Sequence, residues 1–553
     1  MTDAPPHTSD PVAATAPESP PEATAGDPRP HPSSGLDALA GVVGAACALV
    51  TGELVHAVRD DIPSLVIAVA EAIVDHTPGD IVATSIETLG TRQKGLLVTG
   101  IVVVALAIGG LLARRGRRSP RTVLAGFVAF GLLGAWAAVR NPLSPTVGSW
   151  VSALAAAGVG AGVTVGLLAR LERPTRLRTV TESPTDPRAT RRAFLVWSGA
   201  VGAAAVTVWG AARRLAGPSA AETARAGLTL PAAPADTAAG AAAVPAGGPE
   251  GAAVFDGTLP GLSSFVTPND DFYRIDTALV VPQVDPADWR LRITGMVDKE
   301  VTYTFDDILA MDLEDHTVTL SCVSNEVGGP LVGNAVWTGV PLLDLLGPAG
   351  VDPAATQVVG RSVDDWTAGF PTELLGDGRH ALLAVGMNGE PLPLAHGFPA
   401  RLVVAGLYGY VSAVKWVTEI HLTTWDAFDG YWIPRGWAKE GPMKTMSRID
   451  VPRSGARVGA GPIGVGGVAW APTRGISAVE IRIDDGPWTP AEIAAAASDE
   501  TWVQWKAFPS VAPGDHLVWV RAVDGTGAVQ PEGPVPPRPD GAEGWHHIRL
   551  TAT

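Results

Sequence analysis

Hydrophobic positions follow different patterns in the two halves of this 553-residue chain. From about residue 36 to 212 they form long runs of Ala, Val, Leu and Gly, which charged loops interrupt. Because a helix needs about 20 consecutive apolar residues to cross a bilayer, this region predicts an α-helical transmembrane bundle. About five crossings are expected, near residues 36–57, 96–113, 121–139, 149–169 and 193–212. The shorter run 62–75 carries two acids, which leaves an interfacial, re-entrant or hairpin arrangement open.

The charges of the loops predict how this bundle is oriented. The loops 114–121 and 170–192 are rich in arginine, and basic loops stay on the cytoplasmic side. Five crossings then place everything after about residue 213 outside, so we expect a multi-pass cell-membrane protein with an extracytoplasmic C-terminal half. The last crossing opens with Thr-Arg-Arg-Ala-Phe-Leu at 190–195, which fits a twin-arginine export signal. Ordinary positive flanking charge is the alternative explanation for the two arginines.

The segments outside the bundle predict a multi-domain chain. Residues 1–35 hold almost no large apolar side chains and predict a disordered tail. Residues 213–253 are a low-complexity Ala/Pro/Gly stretch, which is typical of a linker. Strand-like and short helical patterns mix in 254–440 and predict an α/β domain. From 441 to 553 only strand patterns occur, with regular alternation at 476–484, and they predict an immunoglobulin-like β-sandwich.

Cys322 carries the clearest chemical signal. The only other cysteine, Cys47, lies in the first apolar run, so no disulfide can form within the C-terminal half. A lone thiol is either a small buried hydrophobe or a thiolate kept for reactivity or metal binding. Cys322 follows a β-like run and precedes a loop that contains Gly328, Gly329 and Gly333. A thiolate is a soft metal ligand, and glycine-rich backbone lets a ligand approach closely. A cysteine at a strand end beside such a loop therefore favours a site for a large cofactor.

Three ordered motifs connect this cysteine to a known family. S-C-V-S-N-x-x-G-G-x-L-x-G-N-A-x-W-x-G-V-P-L begins at Ser321, and T-P-N-D-D-F-Y-R stands upstream at 267–274. H-G-F-P-A-R-L-V-V stands at 396–404, followed by Lys415 and Trp416. Together they resemble the sulfite oxidase family of molybdopterin-dependent oxidoreductases. The resemblance covers about residues 260 to 553. It implies a sulfite-oxidase-like molybdopterin domain and a sandwich of the dimerisation type, so a homodimer is expected.

The same resemblance assigns roles to individual residues. Cys322 would supply the single protein thiolate to molybdenum, which makes it both the catalytic residue and the metal ligand. The pterin and its phosphate would be contacted by Asp270, Tyr273, Arg274, Ser362, His396, Arg401, Lys415 and the backbone of Ala413. A structural role, such as a turn cap or a solvated strand position, is the alternative for each of these residues taken singly.

The chain departs from the family at positions that concern the substrate. Sulfite-oxidising members carry arginines just after the cysteine and an Arg-Asn-His run upstream, whereas this chain has Glu326 in that loop and lacks the histidine. We expect two-electron oxo-transfer on a small substrate, with sulfite-type oxidation and sulfoxide-type or nitrate-type reduction both open. Tyr431 and Trp432 either wall the pocket or pack elsewhere. A cofactor-free surface binding protein that uses the sandwich is the alternative from another class.

Composition and missing motifs restrict the partners. The sequence has no haem-attachment motif, iron–sulfur cysteine cluster or dinucleotide-binding glycine loop. Electrons are therefore expected to pass to or from a separate partner, such as a cytochrome or a quinone-linked membrane protein. The formal net charge is −16, and no basic stripe occurs outside the membrane loops, so nucleic-acid binding is not expected.

Overall fold

The computed structural model describes residues 34–59, 61–78, 92–117, 119–140, 144–176, 187–215, 217–231 and 254–553, together with four positions between 81 and 89. The expected disordered tail lies almost wholly outside these residues. So do part of the second basic loop and most of the expected linker.

Helices dominate the described part of the N-terminal half. They are α1 (Ser34–Val58), α2 (Leu65–His76), α3 (Arg92–Gly116), α4 (Pro120–Val139), α5 (Thr146–Arg176), α6 (Pro187–Leu215) and α7 (Ala220–Gly227). Among the described residues, α1, α3, α4, α5 and α6 contain stretches long and apolar enough to cross a membrane, in agreement with the predicted crossings. At 12 residues, α2 is too short to cross and packs small alanines against α4.

Small residues let the long helices approach closely. A Cβ added at Gly41 in α1 would collide with the backbone of Gly109 in α3, and Gly109 in turn faces Ala45. Helices in a membrane associate through such tight contacts because lipid tails are as apolar as the helix surfaces. The glycine and alanine content of these runs therefore serves packing as well as hydrophobicity.

The start of the predicted linker differs from the prediction. Ala220–Gly227 forms helix α7, because Ser219 and Glu222 make a reciprocal capping box that the low-complexity composition hides. The Ser219 Oγ accepts from the Glu222 amide at 3.0 Å, and the Ser219 amide donates to Glu222 Oε2 at 2.9 Å. Arg225 then donates to the carbonyl oxygens of Leu392 and Pro391 at 2.8 and 2.9 Å. This part of the segment is docked on the α/β domain.

The α/β domain is built on two sheets. Its strands are β1 (Arg290–Gly295), β2 (Val301–Thr304), β3 (Glu314–Ser321), β4 (Val332–Pro341), β5 (Gln357–Ser362), β6 (Thr367–Pro371), β7 (Ala381–Met387), β8 (Glu390–Pro391), β9 (Arg401–Val404) and β10 (Val417–Thr423). Short helices α8 (Phe305–Leu309), α9 (Leu342–Leu346) and α10 (Gly409–Ser412) connect them. One sheet has the order β2-β1-β10-β5-β6, and the other has β3-β4-β7-β8 with β9 also paired to β7. The ends of β3, β5 and β9 carry three of the predicted site residues, Cys322, Ser362 and Arg401.

The strands of the C-terminal domain form two larger facing sheets and one short pair. They are β11 (Met446–Val451), β12 (Ala456–Val458), β13 (Gly461–Pro462), β14 (Val465–Trp470), β15 (Ile476–Ile483), β16 (Thr489–Pro490), β17 (Glu492–Ile493), β18 (Val503–Ala507), β19 (Ser510–Val511), β20 (Gly514–Asp524) and β21 (His546–Ala552). The sheets β11-β14-β18-β17 and β12-β21-β20-β15-β16 enclose one core, and the short pair is β13-β19. The predicted alternation is present in β15, where Val479 and Ile481 are buried.

Candidate active site

Cys322 lies directly after β3, where the sequence predicts a strand-to-loop exit. Its amide donates to the Leu331 carbonyl at 3.0 Å, and its own carbonyl accepts from the Asn325 amide at 3.1 Å. The thiol faces a cavity and lies 2.9 Å from Ser324 Oγ. Burial raises the pKa of this thiol, and the hydrogen bond with Ser324 only partly opposes that effect. Burial therefore favours the neutral thiol here, and a cation bound to the sulfur would favour the thiolate.

The loop that holds Cys322 is closed by an asparagine. The Asn325 side-chain oxygen accepts from the Leu331 amide at 2.9 Å. A Cβ at Gly329 would approach this oxygen to 2.5 Å, and Gly328 has a φ of +75°, which favours glycine. The glycine pair in the motif thus fixes the loop so that the cysteine points into the cavity.

Arg401 is a buried cation at the start of β9. Its guanidinium donates to the carbonyl oxygens of His396 and Leu402 at 3.2 and 3.4 Å and stacks 4.9 Å from the ring centre of Trp337. The residue is only 4% exposed, and no carboxylate pairs with it within the described ranges. Burial lowers the pKa of Arg401 to about 10. Buried charges are normally paired, so this position calls for an anion from outside the chain.

His396 lies behind the same wall in a 3₁₀ turn, Leu394–His396. The turn ends at Gly397 with a φ of +113°, where an added Cβ would come within 3.1 Å of the Cβ atoms of Arg401 and Lys415. His396 Nε2 lies 3.2 Å from the Asn269 carbonyl oxygen, whereas the buried Nδ1 has no partner among the residues described. Burial, followed by the charges of Arg401 and Lys415, lowers the pKa of His396 to about 3. The imidazole is neutral and keeps one nitrogen free for a ligand.

Lys415 forms a buried ion pair with Asp276 on another side of the cavity. Lys415 Nζ lies 3.4 Å from Asp276 Oδ2 and donates to the Ala395 carbonyl at 3.2 Å. Arg274 donates to the same carboxylate oxygen at 2.9 Å. Burial lowers the pKa of Lys415 to about 8, although Asp276 opposes this change. The Asp276 Oδ2 atom therefore serves two cations, and the carboxylate together with these cations keeps positive charge at neutral pH.

Aromatic side chains form much of the remaining wall. Its rings belong to Trp366, Tyr410, Trp416, Trp432 and Trp437, next to Phe272 and Tyr273. Asp364 lies on the same wall, and burial raises the pKa of its carboxyl group. Arg401 and Lys415 are the basic side chains that line the cavity within the described part of the chain.

Most of the predicted site residues meet at this cavity. Its lining includes Tyr273, Cys322, Ser362, Arg401, Ala413 and Lys415. Arg274 is connected to it through Asp276, and His396 lies behind it. Burial and then the nearby Cys322 raise the pKa of Tyr273, which therefore stays protonated.

Some of the predicted positions lie elsewhere. Asp270 is exposed and does not line the cavity, so its role stays a prediction. Trp432 lines the cavity, whereas Tyr431 borders a neighbouring crevice. The Tyr431 ring centre lies 3.7 Å from the guanidinium carbon of Arg435. Glu326 is exposed and does not face the cysteine pocket.

Sequence reasoning missed Asp364, Trp366 and Trp437. The acidic pair before Trp366 is typical of a solvent-exposed turn, and Asp365 is indeed exposed with a φ of +63°. Asp364, however, lies towards the cavity, and its Oδ1 accepts from the Trp366 amide at 3.3 Å. The turn between β5 and β6 could have been predicted, but the direction of its first acid could not.

The residues present fit a molybdopterin cofactor. Cys322 offers one thiol, Arg401 offers a buried cation without a carboxylate, and His396 offers a free ring nitrogen. Lys415 offers a second cation, which would suit the cofactor phosphate because cationic donors bind phosphate through strong charge-assisted hydrogen bonds. The cofactor supplies two-electron oxo-transfer chemistry when it is bound, while the protein binds and orients it.

Comparisons with known proteins agree with this assignment. The family model described as "Oxidoreductase molybdopterin binding domain" matches residues 278–432. The mitochondrial sulfite oxidase of Drosophila melanogaster is 32% identical over 322 residues, which cover 48% of this chain and 56% of that protein. The "Uncharacterized oxidoreductase YuiH" of Bacillus subtilis is 33% identical over 184 residues, which cover 32% of this chain and 89% of that protein.

A solved structure is also similar. The sulfane dehydrogenase SoxCD from Paracoccus pantotrophus shows 27% identity over 52% of this chain and 81% of the other, with a TM-score of 0.47. This chain spans little more than half the length of the fly enzyme. On the family model and the sequence relatives, the chain belongs to the sulfite oxidase family of molybdenum-cofactor-dependent oxidoreductases.

Proposed function

We propose that this protein is a membrane-anchored oxidoreductase that moves one oxygen atom between water and a small substrate outside the cytoplasmic membrane. Oxidation of the substrate takes one oxygen from water and releases two electrons and two protons, and reduction is the reverse. The observation that carries this proposal is the pairing of the Cys322 thiol with a buried, carboxylate-free Arg401 in one cavity. A binding protein without a cofactor has no use for that combination.

Each of the predicted site residues has a proposed role. Cys322 is the metal ligand, and Arg401 and Lys415 hold the phosphate of the pterin. The pterin ring is contacted by Tyr273, Ser362, His396 and the backbone of Ala413. Arg274 acts through Asp276 on Lys415, and Asp270 is proposed as a contact from the resemblance alone.

The walls of the cavity favour a neutral substrate over a sulfite dianion. Aromatic rings occupy the wall, Asp364 would repel an anion when ionised, and the two cations that line the cavity are the ones assigned to the phosphate. A sulfoxide carries no net charge and suits such a wall better than the sulfite dianion. Sulfite oxidation remains the competing activity because the relatives include sulfite oxidases.

The proposed membrane orientation rests on charge. Arg114 and Arg115 lie in the last turn of α3, and the opposite end of this helix contacts the α/β domain through Lys94. This arrangement supports basic loops inside and an extracytoplasmic α/β domain. A twin-arginine signal at Arg191 and Arg192 would export that domain already folded around its cofactor. Arg191→Lys with Arg192→Lys should then keep the domain in the cytoplasm, where protease added to intact cells cannot reach it.

Electron transfer and assembly are proposed as well. The partner is a separate cytochrome or a quinone-linked membrane protein, and the C-terminal domain is proposed to be an immunoglobulin-like sandwich that forms a homodimer.

The experiment that tests the proposed function begins with metal analysis of the purified full chain. Molybdenum should be present, and the loaded protein should reduce a neutral sulfoxide with an artificial electron donor faster than it oxidises sulfite. Faster turnover of sulfite would reverse the choice of substrate. A chain without molybdenum, isolated from cells that make the cofactor, would overturn the proposal itself.

A further inference from the structure

Helix α3 of the membrane half reaches into the wall of the cofactor cavity through Lys94. This residue lies in the first turn of α3, just before the apolar run of that helix. Its Nζ donates to the carbonyl oxygens of Ala278 and Asp276 at 2.6 and 3.0 Å. It also lies 3.3 Å from Asp276 Oδ1. One ammonium group therefore binds two backbone carbonyls and the carboxylate of a single short segment.

The segment that Lys94 holds, residues 276–279, separates two cavities. Asp276 and Thr277 line the cavity of Cys322, and Thr277, Ala278 and Leu279 line the crevice next to the membrane helices. The segment belongs to no helix or strand, so its position depends on side-chain contacts such as this one. A cation with three acceptors restrains it more than an ordinary surface pair, in which one flexible side chain meets another.

Asp276 transmits this contact to the proposed phosphate site. Its Oδ2 faces Lys415 and Arg274, while its Oδ1 faces Lys94, and the carboxylate is only 7% exposed. Burial raises the pKa of Asp276, but Lys415, Arg274 and Lys94 together outweigh burial and hold the pKa below its ordinary value. Lys94 thus helps to keep the counter-ion of Lys415 charged and in place.

We propose that Lys94 is a positioning residue by which the membrane half holds the 276–279 wall and, through Asp276, orients Lys415 towards the cofactor phosphate. The α3 helix is in this respect a part of the cofactor site as well as an anchor. The role of Lys415 in this statement rests on the proposed function, whereas the restraint on the wall does not.

The test compares three variants of the full chain in lipid nanodiscs. Lys94→Met removes the ammonium and keeps the length of the side chain, and Lys94→Arg keeps the charge. Arg92→Met is the matched control, because Arg92 is an exposed cation at the same helix end. Backbone hydrogen exchange at 276–280, retention of molybdenum and pterin during dialysis, and the pH at which half of the cofactor is lost are measured for each.

Lys94→Met should accelerate exchange at 276–280 by about tenfold, the effect of losing roughly one charged hydrogen bond. It should also shorten cofactor retention and move the acidic midpoint of cofactor loss to higher pH, because Asp276 then protonates more easily. The Lys94→Arg and Arg92→Met proteins should both match the parent protein in all three readouts.

Equal exchange rates at 276–280 in the Lys94→Met and Arg92→Met proteins would overturn the proposal. Exchange in the Lys94→Arg protein as fast as in the Lys94→Met protein would also overturn it. If the parent protein holds no cofactor, the proposed function fails while the exchange comparison still decides the role of Lys94. Faster exchange without any change in retention would contradict the link through Asp276.

Discussion

Replacing Arg401 with Met should weaken cofactor binding without destabilising the cofactor-free protein. Arg401 is 4% exposed, and among the described residues its guanidinium donates to two carbonyl oxygens and stacks on the face of Trp337. Met has a similar length and fills the same space without charge. The change therefore removes a proposed partner of the phosphate and relieves a buried charge at the same time.

The size of both effects follows from the burial of the charge. The pKa of Arg401 falls from 12.5 to about 10. At 1.36 kcal/mol per pH unit, the protonated side chain is disfavoured in the cofactor-free protein by roughly 3 kcal/mol. A bound anion would recover a similar amount, so its loss should weaken cofactor affinity by about a hundredfold. The cofactor-free protein should unfold at an unchanged or higher temperature, since replacing a buried charge with an apolar group is often neutral or stabilising.

Two measurements test this pair of effects. Molybdenum and pterin content are determined in the purified variant, and thermal unfolding is followed after the cofactor has been removed. Arg292→Met is the control, because Arg292 is 55% exposed and pairs with Glu419 at the surface. Full occupancy in Arg401→Met would refute the placement of the phosphate. A large loss of stability without the cofactor would refute the claim that the Arg401 charge is uncompensated by a carboxylate.

The other predictions concern pH and backbone conformation. Burial lowers the pKa of Lys415 to about 8, so reloading of the cofactor-free protein should weaken as pH rises through about 8, and Lys415→Ala should lower reloading and remove this pH dependence. The effect on stability has the opposite sign, because above about pH 8 the unfolded chain binds more protons at Lys415 than the folded chain does. The contribution of Lys415 should therefore make the cofactor-free protein more stable as pH rises towards 10.5. Chemical denaturation at several pH values would measure this change. Gly397→Ala should destabilise the protein by about 1–3 kcal/mol, because the left-handed φ of +113° and the close Cβ atoms of Arg401 and Lys415 both oppose a side chain there. Unchanged thermal unfolding of the Gly397→Ala protein would contradict that contact.

Local signals explain which parts of this molecule could be predicted. The five long apolar helices follow from run length, and the place of Cys322 follows from a strand pattern that ends one residue earlier. Helix α7 was hidden because alanine-rich sequence suits a linker and a helix equally well, and its docking by Arg225 depends on residues 391 and 392. Local patterns carry no information about such distant partners.

The ion cluster around Asp276 shows the same limit at the site itself. Lys415 is 139 residues from Asp276, and Lys94 is 182 residues away on the other side. No spacing rule connects these three positions, so the sequence motifs identified Lys415 but neither its counter-ion nor the membrane residue that holds it. The direction of Asp364 was equally hidden, because partial burial of the first acid and exposure of the second depend on how the β5–β6 turn meets the cavity.

The central claim is that Cys322 binds the molybdenum of a pterin cofactor. X-ray absorption at the molybdenum edge of the purified full chain tests it most directly, because it counts the sulfur atoms bound to the metal. The parent protein should show one sulfur more than the two of a pterin dithiolene, and Cys322→Ser should lose that sulfur, with activity lost and the fold retained. An unchanged sulfur count or full activity in the Cys322→Ser protein would contradict the assignment.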